Sequence, residues 1–195
     1  IKGLGGFHLA CDAANPEAVA LLRARKHRDL KPFALMVRDT AAAEAICWFS
    51  CAAERRILES AERPIVLLDK RSGHGLAEGV APRNPSFGVM LPYTPLHHLL
   101  MEGPFRALVM TSGNLSDEPI AHINEDALER LAELADCFLL HNRGIHIRTD
   151  DSVVRVIAGH VRFLRRSRGY APFPVKLPFD TAGHEILAVG PELNH

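Results

Sequence analysis

Residues 23–32 read RARKHRDLKP and set Arg23, Arg25, Lys26, Arg28 and Lys31 around a single acid, Asp29. Five cations this close repel one another unless solvent or an anion screens them, so the stretch predicts an anionic ligand rather than a core element. The residues before it say how the cluster is displayed. Asn15 is a good helix cap, Pro16 suits the first helical position, and Glu17 complements the positive helix end. Ala18, Val19, Leu21 and Leu22 supply an apolar stripe. The cations then fall on the last helical turn and the loop beyond it, where Pro32 disfavours helix at Lys31. Attraction to the helix C-terminal end accounts for two of the five and leaves Lys26, Arg28 and Lys31 as a curved basic loop.

Working outward, charge is segregated along the chain. Residues 23–31 are net +4, and residues 143–168 carry seven arginines against two aspartates, net +5. The whole chain balances at 23 basic and 23 acidic residues, so the remainder is net −9. That pattern favours a localised anion site over a general nucleic-acid coat. The 195 residues fit one generous domain or a pair of small lobes sharing a sheet. Cys11, Cys47, Cys51 and Cys137 form no C-x-x-C pair and read as small hydrophobes in a reducing cytoplasm. No apolar run reaches the ~18 residues of a membrane span. The chain opens without Met and stops at the strand-like residues 185–190, as expected of a piece cut from something longer.

The elements alternate. Phe7–Cys11 reads as a buried strand after the glycines at 3, 5 and 6, whose spacing is not a dinucleotide fingerprint, and no phosphate-binding G-x-x-x-x-G-K-[ST] loop occurs. Strands are expected over residues 33–37, 64–69, 87–92, 106–110, 137–140 and 153–157, with a hairpin turning at Gly159-His160 into residues 161–164. Helices are expected after Asn15, Thr40, Ser50, Thr94 and Asn124 as caps. This is an α/β pattern: a twisted mixed sheet with flanking helices around a basic concave cavity. His97 and His98 point about 100° apart on a helix, which suits a satisfied or solvated pair better than a metal site. Thr111-Ser-Gly-Asn114 leaves a buried strand at its C-terminal end, where open α/β sheets bind ligands. Thr111, Ser112, Asn114 and Ser116 could meet phosphate oxygens or the waters of a magnesium ion, although plain turns use the same residues.

Three features together resemble the YrdC-like nucleotide-binding family: K-x-R-x-x-x-K-P at Lys26–Pro32, T-S-x-N at Thr111–Asn114, and the apolar strand after Asp151-Ser152. KGLGGFHLACD at residues 2–12, DDSVV at 150–154 and RRSRGYAP at 165–172 are similar, more narrowly, to the central domain of the HypF carbamoyltransferases of [NiFe]-hydrogenase maturation. The resemblance covers residues 2–175. It implies an ATP and carbamoyl-adenylate domain over residues 1–175, and a linker with the first strand of a truncated kinase-like transferase domain over 176–195. It implies ATP and Mg²⁺ as cofactors, no zinc in this piece, carbamate derived from carbamoyl phosphate as substrate, and HypE as the partner of the whole protein. No membrane and no nucleic-acid partner are expected.

By the same resemblance, Lys26, Arg28 and Lys31 are the phosphate-binding residues, Lys26 and Arg28 being the catalytic pair. Ser112 and Asn114 serve the nucleotide and Mg²⁺, while Arg166 and Arg168 serve the anionic adenylate. Arg143 and Ser152 are lining candidates. His8 stands where the wider family has an aromatic residue near the acyl pocket, with a core or capping role equally open. The chemistry agrees with this set. Carbamate is already anionic, so its attack on the α-phosphorus needs charge neutralisation and alignment rather than a general base. Two alternatives are threonylcarbamoyl-adenylate synthesis for tRNA modification, and a non-catalytic RNA-binding module for which only Tyr170 and Phe173 adjoin the second basic rim as stacking residues.

Overall fold

The computed structural model describes residues 1–115, 118–180, 183, 185 and 187. Short apolar runs make the strands β1 (His8–Asp12), β2 (Ala34–Met36), β3 (Cys47–Trp48), β4 (Ile65–Lys70), β5 (Ser86–Met90), β6 (Leu108–Ser112), β7 (Val153–Ile157) and β8 (His160–Arg165). They form one mixed sheet in the order β1-β6-β2-β5-β4-β7-β8, with β3 paired to β4. The β2–β5 and β4–β7 pairs are parallel, and β1–β6, β2–β6, β4–β5 and β7–β8 are antiparallel. The expected α/β architecture with flanking helices is therefore present. The strand expected at residues 185–190 lies for the most part outside the described residues, as does Ser116. Among the described residues no helix is long and apolar enough to cross a membrane.

Local chemistry explains the helix starts. In α1 (Pro16–Arg25) Asn15 Oδ1 accepts from the amides of Glu17 and Ala18 at 3.0 and 3.1 Å. In α4 (Pro95–Met101) Thr94 Oγ1 accepts from the His97 amide at 3.1 Å. Three expected caps differ. α2 (Thr40–Ile46) is capped by Asp39, which accepts from the Ala42 amide at 2.7 Å, because a carboxylate one residue earlier outcompetes the hydroxyl; Thr40 instead donates to Glu59. α3 (Ala52–Glu59) has Cys51 at the cap, and Glu54 accepts from the amide of Ser50, one residue before it, at 2.6 Å. α5 (Asn124–Arg130) begins with Asn124 inside the helix and Ile123 at the cap.

Residues 137–140, expected as a strand, are irregular. Phe138 and Leu140 pack against the core, and the Lys2 amide donates to the Leu139 carbonyl at 3.0 Å, but no ladder forms there. The expected hairpin between β7 and β8 is present with its turn one residue earlier, at Ala158-Gly159, and His160 paired to Ile157: Ala158 and Gly159 both have positive φ, 51° and 77°, the pairing that a tight right-twisted two-residue turn requires.

Period-two alternation divides the sheet's two faces. Leu35, Val66, Leu68, Phe87, Val89, Val109 and Val154 join Val19, Leu22, Ile46, Leu58 and Leu131 in the main core. Their neighbours in sequence point the other way. There Met36, Ile65, Met90, Leu108 and Met110 form a methionine-rich cluster with Met101 of α4. α4 covers only part of that second face. Ala34, Leu67, Gly88 and Val153 remain as the floor of a cavity.

Candidate functional site: a cationic cavity on the open sheet face

The cavity holds about 400 Å³ and draws its walls from the segments the motifs occupy. Arg28 and Lys31 enter from the basic loop, Thr111 and Ser112 from the end of β6, and Arg165 from the end of β8. Gly5, Gly6, His8, Tyr93 and Thr149–Asp151 close one end, and Asn84, Ser86 and Arg155 stand at another part of the rim. Glycine is required at position 5, since a Cβ there would lie 2.2 Å from the Thr149 carbonyl oxygen. That contact also carries the bond from the Thr149 amide to the Gly5 carbonyl, 2.9 Å.

The basic loop is folded by its own arginines. Arg23 donates to the carbonyls of Gly79, Arg28 (2.7 Å), Asp29 (3.0 Å) and Val80 (3.2 Å) and stacks on Phe33. It is thereby a scaffold residue. Arg28 donates to Thr111 Oγ1 at 3.0 Å and to the Lys31 and Pro32 carbonyls, and it also lies over the Phe33 ring. Burial, with Arg23 and Arg165 nearby, lowers its pKa to about 10.

Lys26 is 2% exposed and does not line the cavity. Its ammonium donates to the Ser112 carbonyl (2.7 Å), the Asn114 carbonyl (2.6 Å) and Asn114 Oδ1 (2.9 Å). It thus ties the start of the loop after β6 from beneath. Burial lowers its pKa to about 7, and the charges of Arg28 and Lys31 act in the same direction against Asp150. Two depressed cations side by side describe a potential that a bound anion would relieve.

Ser112 Oγ donates to Asn114 Oδ1 at 2.6 Å, and Asn114 Nδ2 donates to the Glu118 carbonyl at 2.5 Å. With Lys26 also on that oxygen, this pair is engaged as a rigid shelf. It fits a magnesium ion carried by phosphates better than one ligated by these side chains. No group of three or more His, Cys, Asp or Glu able to hold a metal occurs among the described residues.

The remaining expected residues scatter. Ser152 is fully buried, donating to the Arg168 carbonyl at 2.9 Å and accepting from the Ser167 amide at 2.8 Å. Arg168 is pinned behind the wall: Nε donates to Asp151 Oδ1 at 2.7 Å, and its other nitrogens donate to the Glu62 and Arg63 carbonyls at 3.0 and 2.9 Å. Arg166 is exposed and donates to the Tyr170 and Phe173 carbonyls. Arg143 lines a separate cavity of about 420 Å³ with Gly3, Pro95 and His146.

His8 does reach the main cavity, with Nε2 2.8 Å from Asp151 Oδ2. His97 departs from the expected satisfied or solvated state. It is fully buried with neither ring nitrogen partnered, edge-on to Tyr93, because α4 turns it into the methionine cluster's side of the sheet; only His98 is exposed. Burial first, then the neighbouring His8, lowers the His97 pKa to about 3 against the pull of Asp151, so it is neutral.

Sequence reasoning missed Arg165, Asp150, Asp151 and Tyr93. Asp150 pairs with Arg165 at 3.1 Å. A signal was present: Asp150 and Asp151 are the sole acids among the seven arginines of residues 143–168, which makes them natural partners for arginine.

A family model described as telomere recombination, Sua5/YciO/YrdC, matches residues 1–167. The chain belongs to the Sua5/YciO/YrdC family. Within it, the carbamoyltransferase HypF of Synechocystis is 51% identical over 97% of this chain and 24% of its own length. A crystal structure of full-length HypF in its phosphate- and nucleotide-bound form superposes with a TM-score of 0.87 at 54% identity, over 91% of this chain and 28% of that one. The resemblance to the HypF central domain is thus present across the Sua5/YciO/YrdC unit, and the chain spans about a quarter of the length of these relatives. Sua5 of P. abyssi complexed with L-threonine has a TM-score of 0.73 at 16% identity over 85% of this chain and 49% of its own, a likeness of fold alone.

Proposed function

We propose that this domain uses ATP to activate carbamate, forming carbamoyl adenylate and releasing pyrophosphate, as the nucleotide-handling part of a HypF-type carbamoyltransferase. Residues 1–175 constitute the activating domain and 176–195 lead toward a downstream transferase domain. In the whole protein that domain would pass the carbamoyl group, derived from carbamoyl phosphate, to the C-terminal cysteine of HypE. The observation that carries the reading is the convergence of Arg28, Lys31 and Arg165 on one cavity beside Thr111 and Ser112, in a chain about half identical to HypF proteins.

In the reaction a carbamate oxygen bonds to the α-phosphorus as the bond to the pyrophosphate oxygen breaks. Arg28, Lys31 and Arg165 neutralise the phosphates and the leaving group, acting where charge develops. Lys26 holds the shelf of Ser112 and Asn114 against the phosphates rather than grasping them from the open cavity. Magnesium entering with ATP would supply further charge neutralisation beside that shelf. Ser152 and Arg168 act behind the wall, Arg166 and Arg143 outside it, and His8 faces the acyl group. No general base is needed, in keeping with a site whose buried histidine, His97, is neutral and away from the cavity wall.

ATP–pyrophosphate exchange by the purified chain tests the reading. Exchange that depends on carbamoyl phosphate, or on ammonium plus bicarbonate, is the expected result. Dependence on threonine plus bicarbonate would move the domain to the tRNA-modifying reaction. Absence of both exchange and ATP binding would overturn it, and RNA binding indifferent to ATP would then explain the basic loop.

A further inference from the structure

We infer that Asp150 is the side chain that takes the divalent cation of a metal–triphosphate in the cavity, an inference that rests on the nucleotide site proposed above. The segment that carries it is fixed by its backbone. The Thr149 amide donates to the Gly5 carbonyl at 2.9 Å, the Arg168 amide to the Asp150 carbonyl at 3.0 Å, and the Ile65 amide to the Ser152 carbonyl at 2.8 Å. The two acids that this segment sets side by side have different surroundings. Asp151 is 10% exposed and engaged on both oxygens, with His8 Nε2 on one and the Tyr93 hydroxyl (3.2 Å) and Arg168 Nε on the other. Asp150 is 34% exposed and lines the cavity. Among the described residues its carboxylate pairs with Arg165, at 3.1 Å, and with no other cation.

A half-exposed ion pair adds little to a fold. Its place in the cavity gives it another use. Phosphate oxygens are strong acceptors for a guanidinium fork, so a triphosphate entering the cavity takes Arg165 from Asp150. The carboxylate is then left facing the anion that displaced it, a repulsion that a divalent cation converts into attraction. Magnesium suits such a place, because it keeps several waters and is held by one or two carboxylates together with substrate phosphates.

The charges fit the same ligand. Arg168 balances Asp151, and Asp69 lies 3.5 Å from Arg155. Arg28, Lys31 and Arg165 against Asp150 are then three cations to one acid, net +2. A nucleoside triphosphate carries about four negative charges at neutral pH, and about two once a divalent cation is bound. Asp150 is also near the shelf at the end of β6: its charge acts against burial on the Lys26 ammonium, which holds Ser112 and Asn114.

Calorimetric titration with ATP and with inorganic tripolyphosphate, each in magnesium and in EDTA, compares the wild-type chain with Asp150→Asn. Magnesium should tighten tripolyphosphate binding by the wild type tenfold or more. In Asp150→Asn the metal-free anion should bind severalfold more tightly than in the wild type, since Arg165 is already released, and magnesium should change that affinity by less than twofold. An equal response to magnesium in the two proteins overturns the inference, as does weaker binding of the metal-free anion by the variant. Asp150→Ser repeats the comparison if the amide variant fails to fold. A spectroscopic readout reports ligation directly. Mn²⁺ in place of magnesium, with tripolyphosphate on protein labelled with ¹³C-carboxyl aspartate, should show a carboxylate ¹³C hyperfine coupling that the variants lose. No coupling in the wild type, or its persistence in the variants, rejects Asp150. Magnesium-dependent tripolyphosphate binding without any ATP–pyrophosphate exchange would uphold Asp150 and remove the carbamate activation; binding of neither ATP nor tripolyphosphate rejects both.

Discussion

The basic loop at residues 23–31 and the arginine run at residues 165–168 look alike in sequence and divide their labour alike in space, but only the run buries a cation on a carboxylate. In the first, Arg28 and Lys31 face the cavity, while Arg23 and Lys26 turn inward to carbonyl oxygens. In the second, only Arg165 faces the cavity; Arg166 holds the following turn and Arg168 is buried on a carboxylate. The loop is held mainly by cations on backbone carbonyls; the run uses such bonds as well, from Arg166 and Arg168, and adds a buried cation on an acid. A guanidinium offers five donors, and in segments without a strand ladder those donors serve the backbone first. Counting cations therefore overstates the charge presented to a ligand.

The largest expected effect breaks the second region alone. Arg168→Ala leaves the Asp151 carboxylate buried without its guanidinium partner and should destabilise the chain by about 3–5 kcal/mol, measured by urea unfolding. A loss below about 1 kcal/mol would mean that His8 and Tyr93 suffice to balance the charge.

Arg28→Ala and Arg165→Ala then ask whether the two regions contribute equal charge to the ligand. Each should weaken binding of ATP and of inorganic tripolyphosphate by tenfold or more, about 1.5–3 kcal/mol per charged hydrogen bond, by calorimetry. An effect confined to Arg28 would make the basic loop the sole phosphate site.

Lys26 sharpens the contrast through pH. Its folded pKa, about 7, lies below its ordinary 10.5, so between these values the unfolded chain holds more protons than the folded one. The cost of burying this charge is fully present below pH 7 and is relieved as pH rises toward 10.5, so this group makes the fold more stable with rising pH. Unfolding followed from pH 6.5 to 9.5 should show that slope, and Lys26→Met should flatten it. The smallest effect belongs to Arg166→Ala, expected to change stability within about 0.5 kcal/mol. Its ATP affinity should stay within twofold of wild type; a larger loss would bring Arg166 into the site.

Much of the scaffold was legible. Asn15-Pro16 and Thr94-Pro95 announced two helix starts because the cap and its amide donors lie within three residues. Gly159 marked the hairpin for an equally local reason, a positive φ. Misreadings arose where neighbours competed. Asp39 took the cap from Thr40, and residues 137–140 had strand-like composition but found no ladder partner. The cavity's existence could be anticipated from charge segregation, and its lining in part: Arg28, Lys31, Ser112 and His8 reach it, whereas Lys26, Ser152, Arg143, Arg166 and Arg168 do not. Lys26 and Arg28 stand two apart in one motif, and only Arg28 reaches the cavity.

By itself, then, the sequence determined most of the element order, two of the five helix caps with the other three one residue off, the hairpin to within a residue and the two places where positive charge concentrates, because propensity and capping act within a few residues. The tertiary structure decided which of those charges a ligand can meet. Arg23 finds its acceptor at Gly79, 56 residues on, and Arg168 finds Glu62, 106 residues back. Partners that distant are chosen by how the sheet brings strands together, and only the fold supplies that choice.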